Sequence, residues 1–406
     1  MSPRHETVAI VGASLAGVSA AQTLRDEGFD GRLVLIGDEP RPPYERPELS
    51  KTYLRGERLV EELLARPPDW FEANDVDLRT GVRVTALDPA ARRLELDDGG
   101  TIAFERALVT TGATNRHLEV PGADLPGVLG LRTIEDADLI RAAAQGGGPA
   151  VVVGMGFIGA EVAASLRQLG LDVTVVEIFE TALRRVLGAD AGRAMERVHR
   201  ERGVRMRFQE TVEAFEGDGR VERVRTSSGD VIDCAFAVVG IGVAPATGCW
   251  PLGLAPDGGI PVGPTLETEV TGVFAAGDVA SHDHPYLGHV RVEHYDNAIQ
   301  MGATAGRNLL GADEVYDDPL WFWSDQYEVS VQMVGRVPED PTIVVRGSYE
   351  EGSFCAFHLD GVGVLRAAIG IDRSRDVRRA SKLVHGQVRP DPDALADPEV
   401  DLRSLL

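Results

Sequence analysis

The sequence predicts an α/β fold in which two Rossmann-like units with parallel sheets are followed by a smaller C-terminal α+β domain. Two glycine-rich turns carry this prediction, because each lies between an apolar strand-like run and a helical pattern. The first is Gly12-Ala-Ser-Leu-Ala-Gly17, after residues 8–11, and the second is Gly154-Met-Gly-Phe-Ile-Gly159, after residues 151–153. From about Trp321 the pattern changes to alternating strand-like stretches and a basic helix, which indicates a separate domain.

Each glycine turn is a candidate pyrophosphate site. A strand that enters a tight glycine turn aims a helix N-terminus at the phosphates, and the free N–H groups there bind the anion. Two such units predict two dinucleotides, FAD and a nicotinamide donor, as in a flavin reductase. An ordinary strand-to-helix turn is the alternative for either unit taken alone. Ser14 replaces the middle glycine of the first turn, where its small side chain is tolerable and its hydroxyl can face the ligand.

Acidic residues at the strand ends predict which nucleotide each unit binds. Glu177 ends the strand after the second turn, at the position where a carboxylate accepts hydrogen bonds from adenosine ribose hydroxyls. That negative charge would repel the 2′-phosphate of NADPH, so we expect NADH to be preferred. The alternative is that Arg184 and Arg185 bind the 2′-phosphate and outweigh this repulsion. In the first unit Asp38 or Glu39 would hold the FAD ribose. The alternative for that pair is two acids in solvent.

Composition narrows the function classes. A chain of 406 residues suggests two or three domains, and its net charge of −23 disfavours nucleic acid and anionic membranes as partners. No run is long and apolar enough to span a bilayer, and the first strand begins too early for a signal peptide, so we expect a cytoplasmic protein. The three cysteines, Cys234, Cys249 and Cys355, form no C-x-x-C pair. This argues against disulfides, a metal site and a dithiol active site.

The order of elements predicts three domains, one of them discontinuous. Residues 1–113 and 245–318 would form the FAD-binding domain, residues 114–244 the NAD(H)-binding domain, and residues 319–406 the C-terminal α+β domain. A Pro/Gly-rich stretch over residues 120–127 indicates a crossover linker, and residues 131–144 a connecting helix. A strand over residues 268–278 is expected to stop at Gly277-Asp278, and a basic helix is expected near residues 374–383.

Three further segments resemble those of the FAD-dependent, NADH-using ferredoxin reductases of bacterial oxygenase systems. They are Pro43-Tyr-Glu-Arg-Pro-Glu-Leu-Ser-Lys51, Phe274-Ala-Ala-Gly-Asp278 and Trp321-Phe-Trp-Ser-Asp-Gln-Tyr327. The first stands where enzymes similar to glutathione reductase carry a redox-active cysteine pair. The resemblance covers nearly the whole chain and implies non-covalent FAD, NADH as donor and a two-dinucleotide-domain architecture.

The resemblance also implies individual contacts. For FAD these are Ala16, Asp38, Arg46, Lys51, Val84, Thr111, Gly112, Arg132, Asp278, Glu293, His294 and Tyr295. For NADH they are Gly156, Ile158, Glu177, Arg185 and Gly242. Trp323 would approach the isoalloxazine ring, with a packed interface aromatic as the alternative.

The expected reaction is hydride transfer from NADH to flavin N5, followed by delivery of single electrons to a 2Fe–2S ferredoxin that serves a monooxygenase or a ring-hydroxylating dioxygenase. Lys51 and Glu161 would pair beside the flavin as the catalytic residues, with a structural salt bridge as the alternative. Other interpretations are an NADH oxidase or peroxidase, and a flavin-bound interaction protein similar to apoptosis-inducing factor.

A basic helix face is the expected ferredoxin-docking site. Its members are Arg375, Arg378, Arg379 and Lys382, whose spacing puts them on one side of a helix. The alternative is a solvated face that Asp372 and Asp376 balance.

Overall fold

The structure, a computed structural model that describes residues 6–406, divides into two units that interleave along the chain. The first unit contains the chain up to Glu45, then Leu63–Thr114 and Ala244–Leu320. The second contains Arg46–Glu62, Asn115–Val243 and Trp321–Leu406. The second unit therefore holds both the second glycine turn and the C-terminal domain. The expected three-domain boundaries stay a prediction.

Both units are built from helices and mostly short strands. The helices are α1 Leu15–Asp26, α2 Pro68–Ala73, α3 Ile134–Gln145, α4 Phe157–Gln168, α5 Arg184–Glu201, α6 Tyr295–Leu309, α7 Ser374–His385 and α8 Pro392–Ala396. The first strands are β1 Thr7–Val11, β2 Arg32–Ile36, β3 Val76–Arg79, β4 Val84–Asp88, β5 Arg93–Leu96, β6 Thr101–Ala103, β7 Arg106–Val109, β8 Ala113–Asn115, β9 Val128–Leu129, β10 Ala150–Val153, β11 Val173–Glu177, β12 Arg205–Phe208 and β13 Val212–Glu216. The remaining strands are β14 Arg223–Thr226, β15 Val231–Asp233, β16 Phe236–Val239, β17 Val243–Pro245, β18 Ile260–Val262, β19 Val273–Ala275, β20 Ala280–His284, β21 Gly288–Val290, β22 Trp321–Gln326, β23 Val329–Gly335, β24 Thr342–Ser348, β25 Ser353–Leu359 and β26 Leu365–Ile371. Short 3₁₀ turns cover Pro47–Ser50, Val60–Leu63, Gly277–Val279 and Leu402–Leu405.

A five-stranded parallel sheet forms the centre of the first unit. Its strand order is β19-β7-β1-β2-β3, and the central strands are apolar because both faces of the sheet are covered. The expected strand over residues 268–278 is shorter than predicted. Only Val273–Ala275 pairs with β7, and a 3₁₀ turn over Gly277–Val279 follows.

The second unit repeats this plan and adds two antiparallel sheets, β13-β14-β15 and the sheet of the C-terminal domain. Strands β12-β11-β10-β16-β9 form its parallel sheet, with α4 following β10. The helix expected over residues 131–144 begins later, at Ile134, because the side chain of Thr133 caps the N–H of Asp136 and the Asp136 side chain accepts from the Thr133 N–H.

The C-terminal domain is an antiparallel sheet covered on both faces. Its strand order is β22-β23-β26-β25-β24. One face, with Phe354 and Ile369, packs against Leu187 and Met195 of α5. The other face packs against the buried side of α7, where Val377, Ala380, Leu383 and Val384 recur at helical spacing. The sheet is thereby held between α5 and α7.

No helix within residues 6–406 is both long enough and apolar enough to cross a membrane.

Candidate functional site

The first glycine turn lies at the carboxyl end of β1. Gly12 has a φ of +120°, and a Cβ there would lie 2.2 Å from the Thr110 carbonyl oxygen, so only glycine fits. A Cβ on Gly17 would lie 2.1 Å from the Gly12 oxygen, which brings α1 close to the turn. Ser14 is the extended N-cap of α1, and its side chain makes no capping hydrogen bond. The N-terminal N–H groups of α1 are thus left for an anionic ligand.

The second glycine turn repeats this geometry at the carboxyl end of β10. A Cβ on Gly154 would lie 2.5 Å from the Gly240 oxygen, and one on Gly159 would lie 2.1 Å from the Gly154 oxygen. Gly156 is the N-cap of α4, the position that Ser14 holds in the first turn. Apart from adjoining residues of the turn and helix, no described atom lies within 4 Å of a Cβ built on Gly156, so this side of the turn is open. Both turns fit a dinucleotide pyrophosphate.

Glu177 ends β11 as predicted, and its carboxylate accepts main-chain hydrogen bonds from the second glycine turn and from the residues after β11. It is 6% exposed, and it accepts hydrogen bonds from the N–H groups of Met155, at 2.5 Å, and Phe179, at 2.9 Å. Glu177 therefore holds the second glycine turn against the end of β11. A carboxylate has about four lone-pair sites, so two accepted bonds leave capacity for ribose hydroxyls.

The segments around Glu177 carry exposed apolar side chains, and one of the two arginines that follow it in the sequence is already paired. Ile158, Ile178 and Phe179 are exposed by 44, 59 and 37% on the segments that flank the turn. Arg184 forms an ion pair with Glu180, whereas Arg185 is exposed. Gly242, with a φ of +97°, accepts a hydrogen bond from the Arg116 N–H.

The two acids after β2 differ in their partners. Asp38 is exposed and pairs with Arg83, with 3.2 Å between Oδ2 and Nη2. Glu39 accepts a hydrogen bond from the Tyr44 hydroxyl. Asp38 is consequently the more accessible of the two for a ribose.

Ala16 brings three parts of the predicted FAD site together in the first unit. A Cβ on Gly302 of α6 would lie 2.3 Å from the Ala16 oxygen, and one on Gly277 would lie 3.2 Å from the Ala16 Cβ. The turn that carries Asp278 and the helix α6 are therefore packed against the start of α1. Arg291 donates to the Asp278 main-chain oxygen at 3.1 Å.

The remaining predicted contacts of the first unit differ in burial, since Thr111 and Gly112 are half-buried and Glu293 is exposed. Thr111 Oγ1 donates to the Ala246 oxygen at 2.6 Å, Gly112 has a φ of +69°, and Val84 is buried. Glu293 pairs with Arg291 at 2.7 Å.

The first turn of α6 carries two of these groups. His294 is the N-cap, and burial lowers its pKa to about 4. Burial also raises the pKa of Tyr295, and a hydrogen bond with Glu45 adds to the effect.

The other predicted FAD contacts, Arg46, Lys51, Arg132 and Trp323, belong to the second unit. Arg46 Nη1 donates to the Arg132 oxygen at 2.7 Å. Trp323 is stacked on Trp321, with ring centroids 5.2 Å apart and an interplanar angle of 17°.

Lys51 and Glu161 form the ion pair that the sequence suggested. Lys51 Nζ lies 2.8 Å from Glu161 Oε2 and donates to the Pro47 oxygen at 2.9 Å. Two serines also donate to the carboxylate: Ser50 to Oε2, and Ser324 to Oε1 at 2.6 Å. Both ion-pair partners are buried, at 8 and 4% exposure. Sequence reasoning missed Ser324, although it lies within the segment 321–327 that carried the resemblance.

The cysteines have no thiolate character. All three are free and buried, and burial raises the pKa of Cys234 and of Cys249 to about 11 and that of Cys355 further. Within residues 6–406 no cluster of His, Cys, Asp and Glu could hold a metal ion. Catalysis by a low-pKa thiol, as an NADH peroxidase of the expected kind would need, is therefore disfavoured.

The basic face of α7 has three exposed cations where the sequence predicted four. Arg375, Arg378 and Lys382 are exposed, but Arg379 is turned towards Asp401, 3.4 Å away. Neither acid that was expected to balance the face pairs with these three cations. Asp376 faces the buried Arg346, and Asp372 accepts from the Ser330 N–H.

Comparison with known proteins finds a matching family model for each of two parts of the chain. Residues 6–302 match the model of the family described as pyridine nucleotide-disulphide oxidoreductase, and residues 321–406 match that described as reductase C-terminal. Rhodocoxin reductase of Rhodococcus erythropolis is 39% identical over 98% of this chain and 93% of the relative. The ferredoxin–NAD(+) reductase component of the anthranilate 1,2-dioxygenase system of Burkholderia cepacia is also 39% identical, over 98% of each chain. The reductase in a solved covalent putidaredoxin reductase–putidaredoxin complex superimposes with a TM-score of 0.95 at 32% identity, over 99% of this chain and 98% of that one.

Proposed function

The chain belongs to the pyridine nucleotide-disulphide oxidoreductase family, and on that premise we propose that it passes electrons from NADH, one at a time, to a 2Fe–2S ferredoxin of an oxygenase system. It is a ferredoxin–NAD(+) reductase, an oxidoreductase that uses FAD and NAD(H). Bound FAD supplies the exchange between two-electron and one-electron chemistry, while the protein supplies binding, orientation and electrostatics. The Burkholderia cepacia relative is itself a component of a dioxygenase system. The proposal includes a cytoplasmic location, in keeping with three free thiols.

The observation that carries the proposal is the combination of two matching glycine turns with a Lys51–Glu161 pair where a disulfide oxidoreductase has its cysteines. In our assignment the turn at Gly12 binds FAD and the turn at Gly154 binds NADH. Glu177 selects NADH, because its carboxylate is buried beside the turn and Arg184 is already paired with Glu180.

The Lys51–Glu161 pair is proposed to act on the flavin. A lysine ammonium near the flavin ring stabilises the electron-rich reduced form, and Glu161 orients that ammonium. No thiol takes part, so electrons leave through the ring directly and not through a disulfide.

The exposed cations of α7 are the proposed docking surface for ferredoxin. The chain carries a net charge of −23, so an acidic ferredoxin would be repelled without a local positive face. Arg375, Arg378 and Lys382 offer such a face, since their neighbouring acids point elsewhere. A face of this kind acts mainly on the rate of encounter.

The test is the fate of electrons from NADH in air. We expect the purified FAD-loaded protein to reduce a 2Fe–2S ferredoxin from the same genome much faster than it forms hydrogen peroxide without ferredoxin. Ferricyanide, which needs no docking, is the control for an intact flavin site. Rapid peroxide or water formation that ferredoxin does not suppress would identify an oxidase and contradict the proposal.

A further inference from the structure

A continuous chain of hydrogen bonds leads from Glu161 through the C-terminal domain to Tyr327, within the second unit. Ser324 Oγ donates to Glu161 Oε1 at 2.6 Å, and Gln326 Nε2 donates to Ser324 Oγ at 3.1 Å. His199 Nε2 lies 2.8 Å from Gln326 Oε1, and the Tyr327 hydroxyl lies 3.3 Å from His199 Nδ1. Ser324, Gln326 and His199 are each 0% exposed. Polar side chains buried this completely have no water to compensate for a lost partner.

The hydrogen bonds of this series can all be donated in the same direction, towards Glu161. A serine hydroxyl has one proton, so Ser324, which accepts from Gln326, directs its own proton to the carboxylate. The Gln326 amide keeps that orientation if His199 Nε2–H donates to its oxygen. Burial lowers the pKa of His199 to about 4, so the ring is neutral and has one N–H. The Tyr327 hydroxyl donates to Nδ1 and so leaves that N–H on Nε2.

The reverse orientation has a defined cost at Glu161. If the Gln326 amide were turned over, its oxygen would accept the Ser324 proton, and Glu161 Oε1 would lose this donor. Lys51 and Ser50 would still contact Oε2, but the hydrogen bond that Ser324 donates to Oε1, and that fixes the rotation of the carboxylate, would be lost. The side chains beyond Ser324 therefore govern how the Glu161 carboxylate is held.

We propose that Ser324, Gln326 and His199 are positioning residues that fix the Glu161 carboxylate towards Lys51. They act through Glu161 and touch no substrate. The inference rests on the proposed role of the Lys51–Glu161 pair at the flavin. It gives the C-terminal domain a part in the chemistry, since Ser324 and Gln326 lie on its first strand, β22, while His199 lies on α5.

The experiment measures two quantities in the FAD-loaded protein: the rate of NADH-driven flavin reduction with its NADH dissociation constant, and the flavin midpoint potential. The variants are Ser324→Ala, which adds no atom to a buried site, Gln326→Leu, which cannot donate to Ser324 and adds no charge, and His199→Phe. His199→Gln, which restores an N–H, is the conservative partner. Ser330→Ala, on the neighbouring strand and outside the chain of bonds, is the matched control. Lys51→Met provides the reference.

We expect the first three variants to slow saturated reduction about tenfold, the order expected for one lost hydrogen bond to a charged group. NADH dissociation should be unchanged, the midpoint potential should move in the same direction as in Lys51→Met, and His199→Gln should recover part of both effects. If Lys51→Met changes rate and potential but Ser324→Ala, Gln326→Leu and His199→Phe do not, the positioning role is refuted. If Lys51→Met changes neither, the proposed role of the ion pair fails, and this inference fails with it.

Discussion

At the scale of single residues, Asp278 is the sharpest test of the FAD assignment. It lies on the 3₁₀ turn that packs against Ala16 through Gly277, where a carboxylate can accept a hydroxyl hydrogen bond from the ribityl chain. Such a bond to a charged group contributes roughly 1.5–3 kcal/mol. We expect Asp278→Ala to bind FAD at least tenfold more weakly and to purify pale, as measured by flavin absorbance per protein. Asp283→Ala, an exposed change on β20, is the control. Full flavin content in Asp278→Ala would remove this residue from the FAD site.

Glu177 should determine coenzyme choice. Glu177→Gln removes the charge and keeps one acceptor for the N–H groups of Met155 and Phe179. We expect its ratio of kcat/KM for NADH over NADPH to fall about tenfold or more, because the repulsion of a 2′-phosphate is lost in a site shielded from water. Glu213→Gln, exposed on β13, should keep the wild-type ratio. Equal efficiency with both coenzymes in the unaltered protein would contradict the NADH assignment and point to Arg185.

Candidate site residues could be predicted from the sequence where a local motif marks them. Glycine turns, strand-end acids and the Lys51 segment are recognisable from spacing and resemblance. The second role of Glu177, as acceptor for the Met155 N–H, was not recognisable, because it depends on how the end of β11 meets the turn after β10. Ser324 was missed for the same reason, since its partner Glu161 lies on a different element far away in the chain.

At the scale of elements, the contact between α1 and α6 is expected to support FAD binding. Both facing positions on α6 are glycines with helical backbone, so replacement by alanine adds only a Cβ and would raise intrinsic helix propensity. A Cβ on Gly302 would lie 2.3 Å from the Ala16 oxygen, whereas one on Gly306 would lie 3.0 Å from the Ala20 oxygen. We expect Gly302→Ala to lower the free energy of unfolding by about 1–3 kcal/mol and to weaken FAD binding. Gly306→Ala should have a smaller effect on both. Equal effects measured by denaturant unfolding and flavin titration would show that this close approach does not matter.

The docking face of α7 can be tested by charge reversal that spares the fold. Arg375→Glu with Arg378→Glu changes two exposed side chains and leaves the Arg379–Asp401 pair intact. We expect the KM for ferredoxin to rise severalfold at low salt and the difference to shrink above about 0.1 M salt, where the screening length is about 10 Å. Reduction of ferricyanide should not change. Arg205→Glu with Arg207→Glu, on the edge strand β12, gives the same net charge elsewhere. An equal rise of KM in both doubles would indicate a general charge effect and no local docking face.

At the scale of the whole molecule, the fold class could be predicted from the sequence, but the grouping of segments could not. Hydrophobic periodicity and glycine turns define each Rossmann-like unit locally. By contrast, Arg46–Glu62 lies between two segments of the first unit in the sequence but belongs to the second unit. The contacts responsible, such as Ser50 and Lys51 with Glu161, join residues that no local pattern connects. The sequence likewise did not reveal that Asp376 of α7 faces the buried Arg346. This contact leaves the exposed cations of α7 without Asp376 as a partner.

Buried histidines in both units give the whole protein a defined response to acid. Burial is the largest cause that lowers the pKa of each of four histidines from 6.5 to about 4: His282 and His294 in the first unit, and His199 and His358 in the second. Between these two pH values the unfolded chain binds protons that the folded chain does not. The free energy of unfolding therefore falls as the pH falls through this window, by up to about 1.4 kcal/mol per pH unit for each group.

His358 offers a direct test of this acid response, because in the described structure its two buried ring nitrogens have no hydrogen-bond partner. Denaturant unfolding between pH 8 and 4.5, with excess FAD present, should show a steep loss of stability below about pH 6.5. His358→Leu should reduce the slope by about one proton and should gain stability over the wild type as the pH falls. The exposed His117→Leu should leave the slope unchanged. A free energy of unfolding that stays level from pH 7 to 5 would show that these rings are hydrated or protonated in the folded protein, and the burial argument would then be wrong.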